Sequence, residues 1–298
     1  MKNEIRFPVT DIQRFTTRDG PGIRTTVFMK GCSLRCLWCH NPEAIHAGRE
    51  LCFHVRKCVG CGACAAACSK SKFTEGHGAY VFDTDCVNCG KCAVVCPAGA
   101  ITEASQERTL EEILKTVLRD RSFYRSDGGV TLSGGEPLLQ KDLPHLLRAL
   151  REQGIHTAVD TAFCVPWERI EAAMPHTSLF LTDIKAIDPQ LHKKLTGVDN
   201  RSILDNLRRL AESGAAFWIR VPVIPGCNCG EMAAIADFVR SLNRPDVPVE
   251  LIPYHNMAGG KYASLGLPMP LEELQPPTKE EMDIFYAPFT GLKRVEYT

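Results

Sequence analysis

A chain of 298 residues is long enough for one large α/β domain with an insertion, or for two domains, and it can bury a sizeable core. Its 35 Lys plus Arg balance 35 Asp plus Glu, which excludes a global field favouring nucleic acid or an anionic membrane, though a local basic patch stays open. The one unusual number is 15 cysteines.

The N-terminal stretch MKNEIRFPVTDIQRF has scattered charges and no signal-peptide core, and no run of about 18 apolar residues occurs anywhere. A cytoplasmic protein with no membrane partner is expected, and clustered cysteines in a reducing compartment read as metal ligands before disulfides. The apolar run RTTVFMK then predicts a strand, and it leads into GCSLRCLWC at 31–39. Cys32, Cys36 and Cys39 follow C-x3-C-x2-C, and three thiols suit neither a disulfide nor a four-ligand zinc site. A strand followed by a ligand loop fits an α/β active site, where chemistry gathers beyond strand C-termini. On a 4Fe-4S cube three thiolates leave one iron free for a substrate or cofactor.

Residues 58–68 read CVGCGACAAAC and 86–96 read CVNCGKCAVVC, so C-x2-C-x2-C-x3-C occurs twice. Such short loops let thiolates converge on an iron-sulfur cube, and the fourth Cys of each run ligates the other cluster. Cys58, Cys61, Cys64 and Cys96 are expected to hold one 4Fe-4S cluster, and Cys86, Cys89, Cys92 and Cys68 a second. Cys96 precedes Pro97 as that pattern requires, whereas Cys68 precedes Ser69. A pair of zinc knuckles would also take four thiolates each, but tandem runs of four at this spacing are uncommon for zinc. These eight cysteines resemble a bacterial two-cluster ferredoxin inserted at 50–103, between a first segment at 1–49 and the remainder at 104–298.

After the insertion, apolar runs alternate with helix-like stretches: GGVTLSG, then 140–153; HTAVDT, then 166–174; LFLTDIK, then 189–213; AFWIRVPVI, then 230–243; and VPVELIP. With RTTVFMK that makes six strands, and strict alternation predicts an α/β fold: a partial (β/α)6 TIM-like barrel. Polar residues cluster where its strands end.

The three-cysteine loop with Trp38 before its last Cys, followed by Ser133-Gly134-Gly135-Glu136-Pro137, resembles the radical S-adenosylmethionine superfamily. Within it the chain is similar to glycyl-radical-enzyme activating enzymes, relatives of the pyruvate formate-lyase activator. The matches are DGPGIRTTVFMKGC at 19–32, WCHNPE at 38–43, TLSGGEPLLQ at 131–140, DIK at 183–185, His192, Thr196, Gly197, Asn200, RVPVIPG at 220–226 and IPYHNMAGGKY at 252–262. The resemblance implies an oxidoreductase whose open iron is chelated by S-adenosylmethionine. One electron then yields methionine and a 5′-deoxyadenosyl radical, which takes hydrogen from a backbone glycine of a partner glycyl radical enzyme, a lyase or dehydratase.

By the same resemblance, Gly134 and Gly135 allow close backbone approach to the cofactor, and Glu136 can accept bonds from an ammonium. Lys185 is expected to meet the methionine carboxylate. Asp160, Thr161 and Asp183 line the same pocket and allow a monovalent cation, while Trp38, His40, Ile184, Arg220 and His255 are further expected cofactor contacts. The two inserted clusters imply electron entry from a reduced flavodoxin or ferredoxin. The alternatives are a radical enzyme acting directly on a small molecule or peptide, and an electron carrier with a degenerate three-cysteine loop. Cys52, Cys164, Cys227 and Cys229 are expected to be small buried apolar residues. Two departures from the family stand out: Cys227-Asn228-Cys229, where an aromatic residue usually follows IPG, and Ala162-Phe163-Cys164, where a glycine usually follows the Asp-Thr pair.

Overall fold

The computed structural model describes residues 4–68, 71–73, 80–82 and 86–295. Its main sheet has eight strands: β1 (Arg6–Thr16), β2 (Arg24–Met29), β3 (Gln106–Thr109), β4 (Gly129–Gly134), β5 (His156–Thr161), β6 (Leu179–Asp183), β7 (Phe217–Val223) and β8 (Val249–Pro253). Their order across the sheet is β8-β7-β6-β5-β4-β2-β1-β3. From β2 through β4 to β8 every neighbouring pair is parallel, and these are the six apolar runs of the sequence. Strands covered on both faces must be apolar almost throughout, and β4 and β6 are buried at every position but the last.

Helices Leu143–Glu152, Trp167–Ala173, Arg201–Ser213 and Met232–Ser241 cover the sheet. Their apolar stripes send Leu146, Leu150, Ile170, Leu207, Leu210, Ile235 and Val239 into one core with Val130, Leu132, Val159 and Ile219. The expected helix over 189–213 is two helices, Pro189–Thr196 and Arg201–Ser213. Gly197 takes φ +89° and ends the first by donating its N–H to Lys193 O at 2.9 Å. Apolar periodicity runs across that break unchanged, so pattern alone joined them.

Two antiparallel strands, β1 and β3, extend the sheet beyond the six parallel ones. Only Phe7 and Val9 of β1 are buried, Pro8 lies between them, and β3 reads QERT, so neither has the signature of a strand. They form because the open edge of β2 carries N–H and C=O groups that need partners.

The cysteine-rich segment leaves and returns through strands Leu51–Phe53 and Ile101–Glu103, which pair with each other. Its short helices Ala63–Ala67 and Lys91–Val94 pack together, and each is preceded by a left-handed glycine, Gly62 at φ +72° and Gly90 at φ +78°. These glycines occupy the same place in the two cysteine runs. Lys30, fully buried, fixes the base of this segment by donating to Glu50 Oε2 and Glu43 O, both at 2.6 Å. Among the described residues no helix is long and apolar enough to cross a membrane.

Candidate active site

A cavity of about 730 Å³ opens at the C-terminal ends of the parallel strands. Cys32, Cys36, Cys39, Trp38, His40, Gly134, Gly135, Asp160, Thr161, Asp183, Lys185, Arg220 and His255 all line it. Glu136 and Ile184 are not among its lining residues.

The cysteine loop is held by backbone bonds, and Cys32 Sγ also accepts the Leu34 N–H at 3.4 Å. Cys32 N–H donates to Ile45 O at 2.9 Å, Arg35 N–H to Thr196 O at 2.7 Å and Leu37 N–H to Leu195 O at 3.0 Å. Burial pushes the Cys32 and Cys36 thiols up to about 12 and Cys39 up to about 11. They stay protonated at neutral pH until a metal supplies positive charge, so loading releases protons. Among the described residues no three His, Cys, Asp or Glu side chains could hold a single metal ion. A 4Fe-4S cube asks for something else, one thiolate on each of three separate irons, and three thiols lining one cavity suit it.

The same cavity is lined by a chain of paired charges. Lys185 Nζ donates to Asp183 Oδ2 at 2.5 Å, Arg220 reaches Asp160 at 3.2 Å and Glu250 at 3.4 Å, and Ser133 Oγ donates to Asp160 at 2.8 Å. Burial alone would pull Lys185 down, but Asp183 outweighs it and holds Lys185 above the usual lysine value. Burial raises Asp160, with Arg220 opposing. The His40 and His255 rings stack with centroids 3.9 Å apart, and His40 Nε2 lies 2.9 Å from His255 O. Burial holds both imidazoles below their ordinary value, hence neutral. His255 Nδ1 is buried and makes no hydrogen bond within the described residues, so a ligand atom in this cavity would find a polar partner there.

Glu136 is directed away from the cavity. Thr161 Oγ1 donates to its carboxylate at 2.8 and 2.9 Å, Ala162 N–H at 3.0 Å and Leu138 N–H at 3.2 Å. The glycines before it answer to neighbouring backbone: a Cβ on Gly134 would lie 2.3 Å from Met29 N of β2, and one on Gly135 2.2 Å from Gly31 O in the loop that follows. Burial pushes Glu136 up to about 7, against bonds from Thr161 and the two N–H groups. A folded-state value above the ordinary 4.5 means that its stabilising contribution is complete below pH 4.5 and lost as pH rises through about 7. Glu136→Gln should therefore remove a decline of about 2–3 kcal/mol between those pH values, checked by urea unfolding of the two proteins. It should also lose about 1–3 kcal/mol at every pH, because an amide turns a donor toward Thr161 or a backbone N–H.

Sequence reasoning missed Asn228, which sits inside the departure Cys227-Asn228-Cys229. It is fully buried, donating to Lys185 O at 2.9 Å and Pro222 O at 2.6 Å and accepting from Ile224 N–H at 2.9 Å. It thereby locks the loop after β7 to the backbone of Lys185. Its flanking cysteines are half-buried, Cys227 against the apolar cluster of Trp38, Leu195, Ile224 and Tyr254 and Cys229 with its Sγ 3.4 Å from Ile224 O. Cys52 is buried and Cys164 half-buried. At the other departure Phe163 takes φ +54°, the left-handed conformation that a glycine would adopt without strain. Asn206 holds it there by donating to Phe163 O at 3.0 Å. His192, Thr196 and Asn200 do not line the cavity; Asn200 Nδ2 ties Ala186 O and Ile187 O, both at 2.8 Å.

In the inserted segment, Cys58, Cys61, Cys64 and Cys96 border one small cavity with Phe53 and Ile101. Cys96 Sγ accepts Ala100 N–H at 3.2 Å, and although slight burial raises its thiol, that bond and its neighbours hold it below the ordinary value, suiting a thiolate ligand. Cys89 is exposed and Cys92 buried, while Cys68 and Cys86 flank residues outside the described set.

The family model described as the Radical SAM superfamily matches residues 26–239. The chain is 42% identical over 284 residues to the isethionate sulfite-lyase activating enzyme of Desulfovibrio desulfuricans, covering 89% of this chain and 88% of that one. It is 40% identical over 284 residues to the trans-4-hydroxy-L-proline dehydratase activating enzyme of Clostridioides difficile, covering 92% and 93%. With the indoleacetate decarboxylase activating enzyme of Tractidigestivibacter scatoligenes the identity is 38% over 300 residues, covering 95% of each.

Proposed function

This chain belongs to the radical S-adenosylmethionine superfamily and, within it, to the activating enzymes of glycyl radical enzymes, and we propose that Cys32, Cys36 and Cys39 hold the 4Fe-4S cluster on which its activity depends. Its protein substrate is a glycyl radical enzyme of the lyase or dehydratase kind. When bound, the reduced cluster and S-adenosylmethionine supply a 5′-deoxyadenosyl radical that takes hydrogen from a glycine of that partner. The observation that carries the assignment is the meeting of three half-buried cysteines with Lys185, Asp160, Arg220 and His255 around one cavity.

The chain's own part is to bind, orient and exclude water. Lys185, cationic and fixed through Asn228, is placed to neutralise the cofactor carboxylate, and neutral His255 offers Nδ1 to it as a hydrogen-bond partner. Trp38 and His40 close the wall beside the cysteines. A monovalent cation would draw on Asp160, Thr161 and Asp183, whose carboxylates are paired with Arg220 and Lys185. Residues 50–103 form a ferredoxin-like domain between the two parts of a partial barrel, 1–49 and 104–298. In it Cys58, Cys61, Cys64 and Cys96 hold one further 4Fe-4S cluster and Cys68, Cys86, Cys89 and Cys92 another, passing electrons inward from a reduced flavodoxin or ferredoxin in the cytoplasm.

The test is anaerobic loading with iron and sulfide, reduction, addition of S-adenosylmethionine, and quantification of 5′-deoxyadenosine, followed by spectroscopy for a glycyl radical on the partner. Failure to cleave the cofactor with all clusters loaded would overturn the reading. Lys185→Met is expected to raise the KM for S-adenosylmethionine by about 10- to 100-fold, the usual weight of a hydrogen bond to a charged group. An unchanged KM would remove Lys185 from the cofactor site.

A further inference from the structure

Lys185 stands on backbone that belongs to neither helix nor strand. β6 and β7 pair in parallel up to Asp183 and Arg220, and Ile184 N–H donates to Arg220 O at 2.9 Å as the last rung. By this register the next rung would be donated by residue 222, which is a proline and has no N–H. The ladder therefore stops one residue before Lys185, and residues 184–188 run as irregular chain to the helix Pro189–Thr196. Ile184, Lys185 and Ala186 are buried, so their main-chain groups need partners from elsewhere in the fold.

Three side chains supply them. Asn228 Nδ2 spans the gap that Pro222 leaves, donating both to Lys185 O and to Pro222 O. Glu231, in the turn Cys229–Glu231, accepts Ile187 N–H at 2.7 Å and Asp188 N–H at 2.8 Å on one carboxylate oxygen. Asn200, at the start of the helix Arg201–Ser213, holds the carbonyls of Ala186 and Ile187. From Ile184 to Asp188 every residue thus has a main-chain group fixed from another element. None of these three side chains lines the cavity, yet the segment they converge on is the one that delivers its cation. A lysine stem has many rotamers, so its head stays at one point only when the main chain beneath it is fixed as well. Lys185 is held at both ends, Nζ by Asp183 and the carbonyl by Asn228. Resting on the activase reading, we infer that Asn228, Glu231 and Asn200 are positioning residues. They set the Lys185 ammonium where the cofactor carboxylate requires it, and so govern the affinity for S-adenosylmethionine without touching it.

Equilibrium dialysis of S-adenosylmethionine against the full-length, cluster-loaded, oxidised protein gives a Kd without turnover. Asn228→Ala is expected to weaken binding about 10-fold, the low end of what loss of the Lys185 contact itself should cost. In a Lys185→Met background the same substitution should add less than about 2-fold, because its effect passes through the lysine. Glu231→Ala should weaken binding about 3-fold, again only while Lys185 is present. Glu231→Gln, which keeps an acceptor for both N–H groups, should bind within about 2-fold of wild type. Glu231 is half-buried, so its variants carry the test if Asn228→Ala fails to fold, which Tm and iron content report. An equal loss with and without Lys185, or no loss in either alanine variant, overturns the positioning role and leaves the activase reading intact. A loss in Glu231→Gln as large as in Glu231→Ala does the same, since charge and not position would then be the cause. No binding by the wild-type protein with all clusters loaded strikes the activase reading itself, and the positioning role falls with it.

Discussion

Cys36→Ala is expected to reduce 5′-deoxyadenosine formation to background while leaving the fold unchanged. The loop that carries Cys36 is pinned by main-chain bonds from Cys32, Arg35 and Leu37 to Ile45, Thr196 and Leu195, none of which uses the thiol. Removing the side chain therefore takes away a ligand without loosening the loop. Two thiolates cannot hold a cube that needs three, so the iron content should fall by one cluster. Cys164→Ala serves as the control, because Cys164 does not line the cavity and should give wild-type product. Full turnover in Cys36→Ala would mean that the chemistry lies at another cluster, whereas loss in both variants would point to a general defect in loading.

Arg24→Met should produce the largest loss of stability. Arg24 is completely buried at the start of β2, and Asp19 and Asp127 are the acidic groups whose fields support its charge. Burial pulls its guanidinium down to about 10, still protonated at neutral pH. The planar fork donates to Thr131 Oγ1 at 2.6 Å, Val130 O at 2.8 Å and Pro21 O at 3.1 Å, stapling the loop before β2 to β4. Methionine fills the volume but leaves these acceptors dry, each costing about 1–3 kcal/mol. A total of about 3–5 kcal/mol is expected, a large part of the 5–15 kcal/mol that typically holds a domain, and a fall in Tm of about 10 °C. Arg24→Lys should recover less than half, since an ammonium cannot reach three directions of a planar fork. Thermal unfolding of the cluster-free proteins measures this, and a shift below about 2 °C would show that the network is dispensable.

Arg24 lies in the stretch DGPGIRTTVF, which carries the family resemblance, yet its network is architectural. The same holds for Glu136, inside the Gly-Gly-Glu motif, and for His192, Thr196 and Asn200. A motif records that residues matter together without recording which of them face the ligand. Lys185 faces the cavity and Glu136 does not because β6 delivers its end into the opening, whereas Thr161 and Ala162 of the neighbouring strand end capture the glutamate first.

By itself the sequence determined the six parallel strands, the three-thiol loop after the first of them and the twin cysteine runs. Apolar periodicity and ligand spacing are local properties, complete within a few residues, so they can be read before folding. Only the tertiary structure decided that β1 and β3 extend the sheet, that Asn228 rather than its cysteine neighbours organises the loop beside Lys185, and that Phe163 is held at positive φ. Each of those depends on a hydrogen-bond partner or a strand edge far away in the chain. A polar strand edge takes whichever segment the fold brings to it, and a buried amide or carboxylate turns toward whichever donors arrive first; neither choice is written in the residues on either side.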